Sequence, residues 1–248
     1  MFDALFFFEI SVAFVAGVVH GVFGFGFPII ATPLFALFVD LKRAVLYTLF
    51  PTIATNIFSL KKDNSFSDIW KEYKLLIVGV IGGSLIGTNL LILSNSPYYK
   101  LILVAVILLY LNKTRLKISI SHWVRDYRQS MIFIMGVLSG FIGGISNIMV
   151  PVLVILLLEL NLEKKRFIGV MNFCFITNKS LQVLLFGVHG SFSVDNLGLM
   201  LLFVVMSVIG FKMGSFIQDK IDEGMYKKLL HALLWILSFY LVYATFYM

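Results

Sequence analysis

Cysteine is nearly absent. Cys174 is the only one in 248 residues, which rules out an internal disulfide and leaves no thiolate cluster for a metal. Charge is scarce too, at 13% of residues, and 13 acidic side chains face 20 Lys and Arg. No Asp or Glu falls in the centre of an apolar run; Glu9, Asp40 and Glu159 sit near ends. A cation carrier needs carboxylates at those centres, so the pattern favours an anion. Alternation of period two is missing, which argues against a membrane β-barrel. There is no His-Glu-x-x-His, no Walker loop and no Cys cluster, so zinc hydrolysis and direct ATP driving lack support. No metal or cofactor is expected. The first apolar run has no basic residue before it, which argues against a cleaved signal peptide and for a retained segment.

What is present is apolar. Hydrophobic residues make up 60% of the chain and the mean hydropathy is +0.97, the composition of a polytopic helical membrane protein. The net charge of +7 lies in short loops between apolar segments, which fits loops facing a cytoplasm better than a nucleic-acid surface. The lipid bilayer, and no nucleic acid, is the expected surrounding partner.

Eight apolar segments cover residues 4–39, 44–60, 75–93, 98–112, 131–158, 167–190, 197–217 and 229–248. The first is too long for one crossing, since roughly 36 helical residues reach beyond 50 Å. It breaks naturally at Gly24-Phe25-Gly26-Phe27-Pro28, and the fifth at Gly143-Gly144-Ile145-Ser146-Asn147. Each is either a crossing with an unwound middle or a hairpin that enters and leaves on one side. Loop charges separate the two. If every segment crosses once, each face carries nine loop Lys and Arg; with segments one and five re-entrant, the faces carry three and fifteen. The second distribution obeys the positive-inside bias. It places both termini outside the cytoplasm.

The chain also repeats itself. Gly17-x3-Gly21-x2-Gly24-x-Gly26, followed by Pro33, returns as Gly136-x3-Gly140-x2-Gly143-Gly144, followed by Pro151. Thr55-Asn56 matches Thr177-Asn178, and Gly83-x3-Gly87 matches Gly210-x3-Gly214. The expected architecture is therefore all-α: two inverted-topology repeats, each a re-entrant or broken helical hairpin plus three transmembrane helices. The first repeat covers 1–117, a basic cytoplasmic connection 118–130, and the second repeat 131–248. Such a layout is that of a secondary transporter working by alternating access. The Gly-x3-Gly helices are read as close-packing surfaces.

This glycine pattern with a following proline, present in both halves, resembles the sulfite exporter TauE/SafE family of membrane transporters. The resemblance covers nearly the whole chain. It implies secondary transport of small sulfur-containing anions, such as sulfite or a sulfonate, across a bacterial inner membrane. The run of three glycines usual in that motif is Gly24-Phe25-Gly26-Phe27 in one half and Gly143-Gly144-Ile145-Ser146 in the other.

Lys179 is the sharpest candidate residue. It stands thirteen residues from Arg166 and ten from His189, too deep to snorkel easily to either surface, where a charge costs several kcal/mol. A bound anion would supply its partner; capping by backbone carbonyls or loss of its proton is the plainer reading. Thr52, Thr55 and Asn56 match Thr177 and Asn178, so both halves offer an amide to an oxyanion, or tie helices together. Gly24, Gly26, Gly143, Gly144, Ser146 and Asn147 would line the path where helix N-termini open at membrane depth, or else pack backbone on backbone. His20, beside the first break, is the candidate carrier of a coupling proton; sodium is the other coupling ion considered. Two other functions fit parts of the sequence. Gly144-Ile145-Ser146 has the Gly-x-Ser form of a rhomboid-type intramembrane serine protease, with His189 or His231 as base, and a non-transporting membrane scaffold needs no site at all. The chain is expected not to be an enzyme.

Overall fold

The computed structural model describes residues 4–36, 38–63, 66–94 and 121–218, with isolated residues between 94 and 121 and after 218. Most of segments four and eight, His231 and residues 118–120 of the basic connection lie outside the described residues. Among the described residues every regular element is a helix and there is no strand: α1 Ala4–Phe23, α2 Phe27–Phe35, α3 Leu41–Asp63, α4 Phe66–Ser94, α5 Ser121–Asp126, α6 Arg128–Ser146, α7 Val150–Glu159, α8 Lys164–Val188 and α9 Val194–Gln218. Five of them, α1, α4, α6, α8 and α9, are long and apolar enough to cross a membrane.

Segments one and five break where glycine and proline demanded. Gly24 and Gly26 take left-handed backbone angles, φ 78° and 105°, open to glycine at little cost. Pro28 then sits in the first turn of α2, where its missing N–H is no loss. The second break has the same build from different residues: Asn147 takes φ 68° and Pro151 opens α7. Asparagine is among the few L-residues that tolerate this region. The structural counterpart of Pro151 is thus Pro28, while Pro33 lies inside α2.

Both breaks send the chain back toward where it entered. The ring of Phe8, near the start of α1, lies 4.9 Å from that of Phe38, just beyond α2. Arg128, opening α6, and Glu159–Asn161, closing α7, line one cavity. The hairpins are unequal in their arms. First arms of 20 and 19 residues reach about 30 Å, whereas second arms of nine and ten residues reach about 14 Å.

Glycines then join each hairpin to a helix of the other sequence half. A methyl on Gly17 would stand 2.3 Å from the Ser207 carbonyl oxygen, and one on Gly214 2.1 Å from that of Val18. On the other side, Gly83 and Gly140 meet the Val137 and Val80 carbonyls at 2.0 and 2.2 Å. So α1 packs parallel to α9, and α4 parallel to α6, with backbones in direct contact, as small-residue spacings allow.

Helix α3 runs antiparallel to α8: Phe50 is beside Phe192, and Ser59 beside Asn172. Lys42 and Arg43 mark one face of the molecule, at the start of α3. Arg125, Arg128, Lys164, Lys165 and Arg166 mark the opposite one, where α4, α6 and α8 begin. Two apolar cores follow from this order. One holds Leu60, Leu76, Leu153 and Phe175 toward the Arg166 face; the other holds Ala16, Phe35, Leu49 and Phe186 toward the Lys42 face. Between them, α3 contributes Thr52, Thr55 and Asn56, α4 Ser84 and Thr88, and α8 Asn178, Lys179 and Gln182, every one fully buried. A polar layer divides the apolar interior.

Candidate functional site

The second break is where that layer holds a lysine. Lys179, on α8, is 0% exposed. Its Nζ donates to Asn147 Oδ1 and to Gln182 Oε1. Gln182 is one turn along the same helix, so the pair is a local consequence of i, i+3 spacing. Its own Nε2 donates to the Gly144 carbonyl at 3.1 Å. Asn147 joins the two halves of the sequence, donating from Nδ2 to Thr32 Oγ1 at 2.5 Å and to Thr48 Oγ1 at 2.6 Å.

The electrostatics of this arrangement are one-sided. Both oxygens on the ammonium are neutral amides. The carbonyl end of α6 lies beside it, and the negative end of that helix dipole favours a cation. The start of α7 turns its first N–H groups toward the same break, which favours an anion. Ion pairs stand instead near the Arg166 face, where Arg166 meets Glu72 and Asp126 meets His122 and Arg125. Both hydrogen-bond partners of the Lys179 amine are amide oxygens, and neither is a carboxylate.

The first break is built from neutral groups. The Gly24 carbonyl accepts from Ser59 Oγ at 3.0 Å and from Asn172 Nδ2 at 2.7 Å. His20 Nδ1 accepts the Phe27 N–H at 3.3 Å, capping the start of α2. That bond requires a bare Nδ1 and puts the ring proton on Nε2. Asn172 and Lys179 are seven residues apart on α8, so the two breaks lie about 10 Å apart along it. The hairpin tips do not share one site.

Other sequence candidates are placed as follows. Asn178 turns to α4 and donates to Ser84 Oγ at 2.6 Å, while Asn56 donates to the Thr52 carbonyl of its own helix at 2.6 Å. The Oδ1 atoms of both are buried with no protein partner. Thr52 and Thr55 bond back to Thr48 and Pro51 carbonyls. A methyl on Gly144 would stand 2.7 Å from the Thr88 nitrogen, so this glycine also lets α6 approach α4. Ser146 Oγ donates to the Ile142 carbonyl at 2.7 Å, and His189 faces the Leu185 carbonyl at the exposed end of α8. Neither residue is arranged as a nucleophile and base. Among the described residues, no group of His, Cys, Asp and Glu could hold a metal ion. Cys174 is free and buried.

Thr32, Thr48, Ser59 and Asn172 belong to the two clusters without having stood out in the sequence. They lie in apolar stretches with no repeat partner of their kind, and only the return of the hairpins explains their contacts.

A family model described as sulfite exporter TauE/SafE matches residues 10–241. The chain belongs to the sulfite exporter TauE/SafE family. Membership of a membrane transporter family and five helices long and apolar enough to cross a bilayer together make this a multi-pass membrane protein. No curated protein and no solved structure matches the chain. Both glycine breaks fall within the residues matched to TauE/SafE, and Lys179 stands beside the second of them.

Proposed function

We propose that this TauE/SafE protein is a secondary transporter of a small sulfur-containing anion, such as sulfite or a sulfonate, across the bacterial inner membrane. The observation that carries the reading is Lys179: fully buried at the second break, with two amide oxygens and no carboxylate on its ammonium. A buried cation costs several kcal/mol unless it gains a partner. An oxyanion entering at the break would replace one amide oxygen on Nζ and meet the N–H groups at the start of α7. Asn56 and Asn178, whose Oδ1 atoms lack a protein partner, would accept from a protonated form such as bisulfite.

The repeated breaks support two inverted repeats, residues 1–117 and 131–248, entering the membrane from opposite sides. The basic Arg166 face is then cytoplasmic. In the proposed cycle the elements around Lys179 rock to expose it to each face in turn. His20 carries the coupling proton in this reading. A proton placed on Nδ1 would remove the acceptor of the Phe27 N–H and loosen the first hairpin, linking proton arrival to movement.

Thermal stability of the purified protein against sulfite, sulfate, thiosulfate, taurine and sulfoacetate tests the site. A ligand of the native state raises stability by about 2.7 kcal/mol at a hundredfold excess over its Kd. Stabilisation by one anion that disappears in Lys179→Ala supports the reading. A response unaltered by Lys179→Ala would remove Lys179 from the site.

A further inference from the structure

A cavity of about 330 Å³ opens at the Lys42 face, lined by Asp40, Lys42, Arg43, Leu46, Phe186 and His189 among others. Its charges are two cations and one carboxylate, and Asp40 is engaged with the Arg43 N–H at 3.0 Å, so the balance is positive. Phe186 lines the cavity and is 0% exposed, so it lies at the inner side, away from the solvent. Phe186 belongs to the same stripe of α8 as Gln182 and Lys179, four and seven residues earlier, spacings that share one helix face. Two turns, about 10 Å, separate its ring from the Lys179 level. The barrier is thinner still on α3: Leu46 lines the cavity, and Thr48, two residues further, holds Asn147. Toward the other face the protein is thick. The cavity at the base of the second hairpin holds Arg128, nineteen residues from Asn147 along α6, about 28 Å.

We infer that the Lys42-face cavity is the antechamber through which the anion reaches Lys179, and that the Phe186 side chain is the gate between them. The inference rests on Lys179 as the anion's partner. In the structure the gate is shut: Phe186 packs in the core with Phe35, Leu49 and Phe203. Lys42 and Arg43 draw an anion into the cavity, and a swing of one aromatic ring exposes the polar stripe beneath it.

Thiol labelling tests the gate without any substrate, so its failure is separate from a failure of anion binding. In full-length detergent-solubilised protein carrying Cys174→Ala, Lys179→Cys is the reporter and the anionic reagent sulfonatoethyl methanethiosulfonate the probe. With Phe186 in place labelling is slow. Phe186→Ala is expected to raise the rate by about tenfold or more, because reaction follows access to the buried site. Phe175→Ala removes an equal ring one turn to the other side of Lys179 and is expected to leave the rate unchanged. Equal acceleration by both, or none by Phe186→Ala, overturns the gate. Gln182→Cys, on the same stripe, serves as reporter should Lys179→Cys not fold.

Discussion

The two hairpin breaks carry the same recurring glycine pattern and are closed by different partners. At the first, glycine conformations, a histidine cap and two donors on the Gly24 carbonyl close the turn with neutral partners. At the second, asparagine replaces glycine in the left-handed position, and its side chain becomes the link between Lys179 and two threonines of the other half. One substitution class explains the divergence. Glycine can only turn; asparagine turns and brings an acceptor and two donors. In the function proposed above the first break is a latch and the second a binding centre, although the backbone does much the same in each.

The strongest way to break this comparison is to take the charge from the second break. Lys179→Gln keeps a donor at neutral cost and is expected to lower anion affinity by about tenfold to a hundredfold, the worth of a charge-assisted hydrogen bond at 1.5–3 kcal/mol. Calorimetric titration with the stabilising anion measures it. Wild-type affinity in Lys179→Gln would make the two breaks functionally alike.

Next in size are the glycine contacts, which both hairpins share. Gly140→Ala would set a methyl 2.2 Å from the Val80 carbonyl, and Gly210→Ala one 2.2 Å from that of Phe14. Neither backbone can yield locally, so each is expected to destabilise by about 1–3 kcal/mol. Melting curves in detergent read this directly. Equal losses would show that the two hairpins are held equally; loss at one alone would identify the arm that moves.

Asn172→Ala and Asn147→Ala then separate latch from site. Asn172→Ala removes a donor from the Gly24 carbonyl and is expected to lower stability by about 1 kcal/mol with anion affinity kept. Asn147→Ala should lower affinity as well, because it frees Lys179 and both threonines at once. The same profile from both variants, in thermal stability and titration together, would erase the distinction drawn between the breaks.

Much of the fold was legible in the chain because it depends on periodic and compositional signals. Breaks at Gly24–Pro28 and Gly143–Asn147, the return of the hairpins, and the helix pairing through Gly83 and Gly210 all follow from residue types with strong local preferences. Lys179 was legible because a lone charge at mid-segment has no cheap explanation. Its neighbours were harder. Thr32, Thr48 and Asn172 are single polar residues in apolar runs, and what they touch depends on contacts more than a hundred residues apart for Asn147–Thr32 and Asn172–Ser59. Matching positions also misled in one respect: Asn56 and Asn178 correspond in sequence, yet their amides bond to different helices. A shared sequence pattern sets where a side chain starts and leaves free what it meets.

The smallest expected effect belongs to Ser146, and its smallness is informative. Its hydroxyl is committed to the Ile142 carbonyl at 2.7 Å, a back-bond within the last turn of α6 that tolerates replacement. Ser146→Ala should change stability by about 1 kcal/mol or less and leave anion affinity as it is. A protease built on Gly144-Ile145-Ser146 would instead lose all activity with that hydroxyl, since no other group forms the covalent intermediate. Ser146 is one residue from Asn147, and the contrast between the two sharpens the site to a single side chain: removing Asn147 should disturb Lys179 and removing its neighbour should not. Titrating both variants with the same anion decides between a break that binds through its backbone alone and one that binds through Asn147.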